Sequence, residues 1–109
     1  MYRFYEEIVR GLKEYAVQYG SALDSIGVDT WGCDFGFLAR DGTLLEMPYQ
    51  YRDARTAGTQ EIIQNTMGKK RVYDITGIQF LPINTLNQLI AVVRDTPERL
   101  EDVRHMLFI

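Results

Sequence analysis

The chain is short of the residues that build self-contained chemistry. It has one cysteine, Cys33, and one histidine, His105. A single thiol excludes an internal disulfide framework and suits a reducing compartment, so a cytoplasmic setting is expected. The same two residues are too few for a clustered Cys/His metal centre. No apolar run approaches the length of a membrane span, and the first residues lack a signal-peptide pattern, so no membrane partner is expected. Neither sign of charge dominates. Twelve basic and fifteen acidic residues leave a net charge of −3, which gives no electrostatic drive toward nucleic acid. The one compact basic run, Lys69-Lys70-Arg71, reads as a solvated helix start. Phosphate-cradling glycine-rich loops of the Walker or dinucleotide type are missing.

What is present is an ordinary globular mix, 46% hydrophobic and 25% charged, over a length that fits one small domain or a piece of a larger one. Phe4, Ile8, Leu12, Tyr15 and Tyr19 share one face of a helix, and Gly20 stops it. Gly11, inside that helix, suggests a closely packed neighbour. Residues 23–30 read as a first strand with Ile26, Gly27 and Val28 buried. A helix feeding a buried strand places the chain in the α/β class. Residues 31–47 then read as a β-hairpin. Cys33, Phe35, Phe37 and Ala39 alternate inward, Asp41-Gly42 turns the chain and Pro48 limits the return strand. Residues 56–67 form a helix with Ala57, Ile62, Ile63 and Met67 inward. A second helix over Lys69–Thr76 turns Val72 and Ile75 inward. A third, capped by Asn84 or Thr85, carries the apolar stripe Leu86, Leu89, Ile90 and Val93. Thr96-Pro97-Glu98 opens a last short helix with Leu100 and Val103 inward. Residues 106–109 read as the opening of a buried strand. An apolar end of this kind, with Met1 running straight into a helix, is the pattern of a fragment of a longer protein.

The chemistry gathers at the end of the first strand. Asp29, Thr30, Trp31 and Gly32 follow the apolar run where an open α/β sheet places its ligands. Trp31 offers an apolar wall with an N–H handle, and Gly32 permits close approach of a ligand to the main chain. The alternative is a bulge with an aromatic plug. Asp29 and Asp34 are available to hold a cation or act as a base, or to cap a turn. Tyr49-Gln50-Tyr51-Arg52-Asp53-Ala54-Arg55 is a polar, aromatic connection in which two arginines flank one carboxylate. It suits either an ion pair pinning a loop or a set of donors and acceptors for a polyhydroxylated ligand. Cys33 reads as a packing residue and His105 as structural or exposed. No complete catalytic constellation is legible.

In order and spacing, these motifs resemble one known family. Ile26-Gly27-Val28-Asp29-Thr30-Trp31-Gly32, Asp34-Phe35-Gly36, Tyr51-Arg52-Asp53-Ala54-Arg55-Thr56, and Thr76-Gly77-Ile78-Gln79-Phe80-Leu81-Pro82 followed by Asn84-Thr85-Leu86 are similar to the FGGY carbohydrate kinases. Within the family they resemble the branch acting on L-rhamnulose. The resemblance implies a partial actin-like, ribonuclease-H-like α/β domain. It also implies ATP- and Mg²⁺-dependent phosphorylation of L-rhamnulose at its 1-hydroxyl by the full-length enzyme. In the family the phosphate-binding hairpin precedes this segment, and the aspartate base and most ATP groups follow it. The 109 residues are therefore expected to bind no cofactor and to be inactive alone. What carries over is the sugar side: Gly32 as substrate contact, Trp31 and Tyr51 as aromatic walls, and Arg52 and Asp53 along the same edge. Cys33 and Ile83 stand where the family pattern has valine and phenylalanine, which leaves L-fuculose as a competing ketose. A non-catalytic sugar-binding module and a purely structural α/β domain are the rival readings. An uncovered sheet edge is expected to invite pairing with another copy.

Overall fold

The computed structural model describes residues 2–109. Met1, read above as a boundary, lies outside the described residues. The chain divides into two compact units, Met1–Thr30 and Trp31–Ile109.

In the first unit, helix α1 spans Tyr2–Tyr19 and ends at Gly20 in the left-handed region, as the spacing predicts. None of its residues is buried, and Ile8 and Tyr15 on the apolar stripe are exposed. A Cβ at Gly11 would meet nothing within 4 Å, so the close neighbour expected there is missing. The buried strand expected over residues 23–30 does not form either. Ile26 is 61% and Val28 80% exposed. A strand is held by the N–H and C=O groups of a neighbour. The described residues offer this segment no ladder partner, so its apolar run stays irregular.

The second unit is built on strand β1, Phe35–Leu38, which pairs antiparallel with β2, His105–Phe108. The register sets Phe35 opposite Phe108 and Phe37 opposite Met106. Hydrogen bonds from the Arg104 and Ile109 N–H groups to the carbonyls of Leu38 and Asp34 extend the ladder at both ends. The hairpin of residues 31–47 is present in reduced form. Its return segment makes one bridge, Leu38 to Leu44, with the Leu45 N–H donating to the Phe37 carbonyl. The loop is three residues long, Arg40 to Gly42. It uses one left-handed residue, Gly42, in place of the two-residue turn expected from Asp41-Gly42. Gly36 is required by close approach: a Cβ there would sit 3.0 Å from the Leu44 side chain and 3.5 Å from Pro48. The return segment thus covers the face of β1 that alternation had left open, and Phe35, Gly36 and Phe37 are all buried.

Five helical pieces pack on this sheet or beside it. A 3₁₀ turn over Ala54–Thr56 is separated from helix α2, Thr59–Thr66, by Gly58 in the left-handed region. The single helix expected over residues 56–67 is therefore broken, and only Ile63 of its four proposed core residues is buried. Helix α3, Lys69–Thr76, has the expected bounds. Val72 is buried and Ile75 is exposed. Helix α4 runs Thr85–Asp95 with Asn84 at its N-cap position. A 3₁₀ segment, Pro97–Glu101, leads to β2.

The inward face of α4 is not the expected apolar stripe. Asn87, Gln88, Ala91 and Val92 are buried, while Leu86 and Val93 are exposed. Val92 joins Phe35 and Phe37 in the core, with Leu89, Leu100, Val103 and Met106 packed against them. The helix is turned so because its two amides find partners in facing segments. The Asn87 Nδ2 donates to the Leu81 carbonyl at 2.8 Å, and Gln88 bridges two further carbonyls. From the same helix, Arg94 donates to the carbonyls of Ala57 and Arg55 and ties down the exit of the 3₁₀ turn. The buried strand expected over residues 106–109 is a strand, but Leu107 and Phe108 are exposed along it. The sheet has two strands, so among the described residues the outer edge of β2 is unpaired.

Candidate functional site

A cavity of about 320 Å³ opens beside the N-terminus of β1. One side is Gly32 and Cys33. Facing them are Val72 and Thr76 of α3, Ile78 and Phe80 of the connection, and Ile83 with the first turn of α4. The volume is at the lower end of small-molecule sites. Most of the lining side chains are apolar, and several polar ones are already committed. The Thr76 hydroxyl donates to the Val72 carbonyl and accepts from the Ile78 N–H. The Asn84 Nδ2 donates to the Gln79 carbonyl. Both ends of the Asn87 amide are used, toward the Leu81 carbonyl and the Thr59 hydroxyl. Among the described residues, the Asn84 Oδ1 makes no helix-capping hydrogen bond.

Gly32 has φ of +56°, and a Cβ there would meet no atom within 4 Å. Its bare main chain therefore faces open space at the cavity wall. Trp31, the preceding residue, is 46% exposed and is not part of that wall. The Tyr51–Asp53 stretch lies elsewhere. Arg52 and Asp53 border a separate shallow depression with Gln60, Glu61 and Pro82. Tyr51 donates its backbone N–H to Asp34 Oδ1 at 2.7 Å, and the Arg52 guanidinium lies 5.1 Å from the centre of the Tyr51 ring. Of the five residues proposed to meet the sugar, only Gly32 lines the cavity.

The Asp53 carboxylate caps the 3₁₀ turn, accepting the Arg55 N–H at 2.8 Å. Asp53→Ala should therefore cost about 1 kcal/mol of stability, as for a lost N-cap, while Asp53→Asn costs less. Urea unfolding of the two variants side by side checks this. The ion pair that would pin the loop is absent among the described residues, because neither Arg52 nor Arg55 bridges Asp53. Asp34 is buried and its carboxylate accepts the N–H of Tyr51, a residue distant in the chain, while Asp29 accepts the N–H of its neighbour Thr30. Among the described residues no three His, Cys, Asp or Glu side chains come together as a metal site. Neither ATP nor Mg²⁺ is assigned a residue here.

Sequence reasoning missed the polar core behind the cavity. Gln88, 1% exposed, donates its Nε2 to the Cys33 carbonyl at 2.9 Å and to the Ile83 carbonyl at 3.0 Å. Its Oε1 accepts from Arg55 at 3.0 Å. The Arg55 guanidinium lies 3.9 Å from the Tyr49 ring centre, and its Nε has no partner. Burial pushes its pKa below the ordinary arginine value, partly countered by Tyr49, Asp53 and Glu46. The available signal was Asn87-Gln88, two adjacent amides interrupting an apolar helix repeat.

A small antiparallel sheet carrying several helices is an α/β arrangement consistent with the N-terminal domain of a carbohydrate kinase. The chain belongs to the FGGY family of carbohydrate kinases: the family's N-terminal domain matches residues 5–109. More particularly, it is similar to proteins named rhamnulokinase. It is 50% identical over 90 residues to that of Yersinia pestis (strain Pestoides F), a match covering 83% of this chain and 19% of the relative. It is 44% identical over 103 residues to those of Pectobacterium atrosepticum and Klebsiella pneumoniae (strain 342), covering 94% of this chain and 21% of each relative. The chain thus spans about a fifth of the length of these relatives.

Proposed function

We propose that this chain is part of the N-terminal domain of a ketose kinase and supplies one wall of its sugar site. The full-length protein would transfer a phosphoryl group from ATP, with Mg²⁺, to the 1-hydroxyl of L-rhamnulose in the cytoplasm. The phosphate-binding hairpin, the general base and the ATP-binding domain would lie outside these 109 residues. The observation that carries the reading is Gly32, with left-handed backbone and free space at Cβ, on the wall of a mainly apolar cavity. The nature of that cavity favours a deoxy sugar. Its apolar side chains suit a terminal methyl group. Two of its amides and one hydroxyl are held by protein partners, which leaves few groups for an additional sugar hydroxyl. The unpaired edge of β2 is where a second copy of this chain would pair.

The test is a coupled kinase assay on the full-length protein with L-rhamnulose and L-fructose, which differ only in a hydroxyl at C6. Phosphorylation of L-rhamnulose is expected, with kcat/KM about 10- to 100-fold above that for L-fructose, the discrimination an apolar pocket provides. No ATP-dependent turnover of either ketose would overturn the reading. L-Fuculose, also a 6-deoxyketose, should be accepted in preference to its 6-hydroxy counterpart.

A further inference from the structure

The cavity wall is made from segments far apart in the chain, and one buried side chain joins them. Cys33 belongs to the stretch entering β1, and Ile83 to the connection entering α4. The two residues line the cavity together. Their carbonyls are held by the same Nε2 of Gln88, at 2.9 and 3.0 Å. That amide nitrogen has two protons, and both are used. The remaining end, Oε1, accepts from the Arg55 guanidinium at 3.0 Å. A guanidinium can only donate, and a backbone carbonyl can only accept, so the amide has one workable orientation. Arg55 is itself fixed, stacked on Tyr49 at 3.9 Å and within 5.9 Å of the centre of the Phe35 ring. Its carbonyl is tied to Arg94. The arrangement leaves the Nε of the half-buried Arg55 buried without a partner, which packing alone would not favour over an apolar residue.

We propose that Gln88 is a positioning residue for the ketose. It sets the separation of the Gly32-Cys33 main chain from the Ile83 loop, and Arg55 locks its orientation. The inference deepens the kinase reading and rests on it. Gln88 does not touch the sugar. It holds the two backbone segments that do, so its loss widens or skews the wall while leaving the nucleotide side unaffected.

The experiment is steady-state kinetics on the full-length protein, wild type against Gln88→Met and Gln88→Glu. Met keeps the volume and removes every hydrogen bond. Glu keeps the acceptor toward Arg55 and removes both donors. Each variant is expected to raise KM for L-rhamnulose about 10- to 100-fold, the scale of a small misplacement of binding groups, with KM for ATP within about twofold of wild type. A residue that matters only for stability would lower the active fraction, and so the apparent kcat, with both KM values unchanged. That result, or failure of both variants to fold, overturns the proposal. Wild type turning over L-rhamnulose with unaltered variants rejects the positioning role alone. Wild type inert toward ketoses rejects the kinase reading, and the positioning role with it.

Discussion

Gly32→Val should weaken L-rhamnulose binding to the full-length protein about 10- to 100-fold. Two effects act in the same direction. The backbone at Gly32 sits at φ +56°, where a β-branched residue is strained. Holding a side chain there costs about 1–3 kcal/mol. At about 1.4 kcal/mol per decade, strain relieved by shifting the loop away from the ligand accounts for most of the loss. The second effect is bulk, since the new side chain would occupy the space beside the cavity that glycine leaves open. Gly32→Asn separates the two, because asparagine tolerates the left-handed region yet still adds volume. Titration calorimetry should rank wild type above Asn and Asn above Val. If all three bind equally, Gly32 is not at the sugar and the cavity has been misassigned.

The largest stability loss is expected at Asn87→Leu, about 2–4 kcal/mol by urea unfolding. Asn87 and Thr59 are both almost wholly buried. The Thr59 hydroxyl has one proton shared between Asn87 Oδ1 at 2.9 Å and the Thr56 carbonyl at 2.7 Å. The Leu81 carbonyl depends on Asn87 Nδ2. Leucine leaves the Leu81 carbonyl without its donor and places a branched apolar group against the hydroxyl, and buried unsatisfied groups cost about 1–3 kcal/mol each. Thr59→Val should cost about 1–3 kcal/mol, because it leaves the buried Asn87 Oδ1 without its donor. The double variant should be more stable than the sum of the single losses predicts, with coupling of about 0.5–3 kcal/mol. Strict additivity would show that the two side chains do not form one unit.

Local pattern reached a good part of this architecture. Gly20, Gly68 and Gly77 stand at the helix boundaries their residue type announces. The alternation about Phe35 and Phe37 found the central strand, and the start of the last strand was found to within one residue. Gly32 was singled out because glycine lets a ligand come close to the main chain and because the resemblance places a substrate-contacting glycine there; its left-handed backbone is a finding of the structure. The failures share a cause. Ile26 and Val28 look like a buried strand, yet burial needs a ladder partner, and the described residues offer this segment none. The stripe of Leu86 and Val93 looks like the inward side of α4, yet the inward side is the one whose amides meet facing carbonyls. Arg52 and Asp53, with donors and acceptors that suit a polyhydroxylated ligand, border a depression separate from the cavity, and the Asp53 carboxylate caps the 3₁₀ turn.

By itself the sequence determined the α/β class, the helix ends, the strand that anchors the second unit and the kinship carried by its short motifs. These follow from backbone preference and spacing, which act within a few residues. Tertiary structure alone decided which face of α4 turns inward, that Gln88 joins residues 33 and 83, and that Gly32 reaches the cavity while Tyr51, Arg52 and Asp53 do not. Those outcomes depend on where distant carbonyls come to lie, and hydrogen bonds in a water-poor interior are strong enough to rotate a helix toward them.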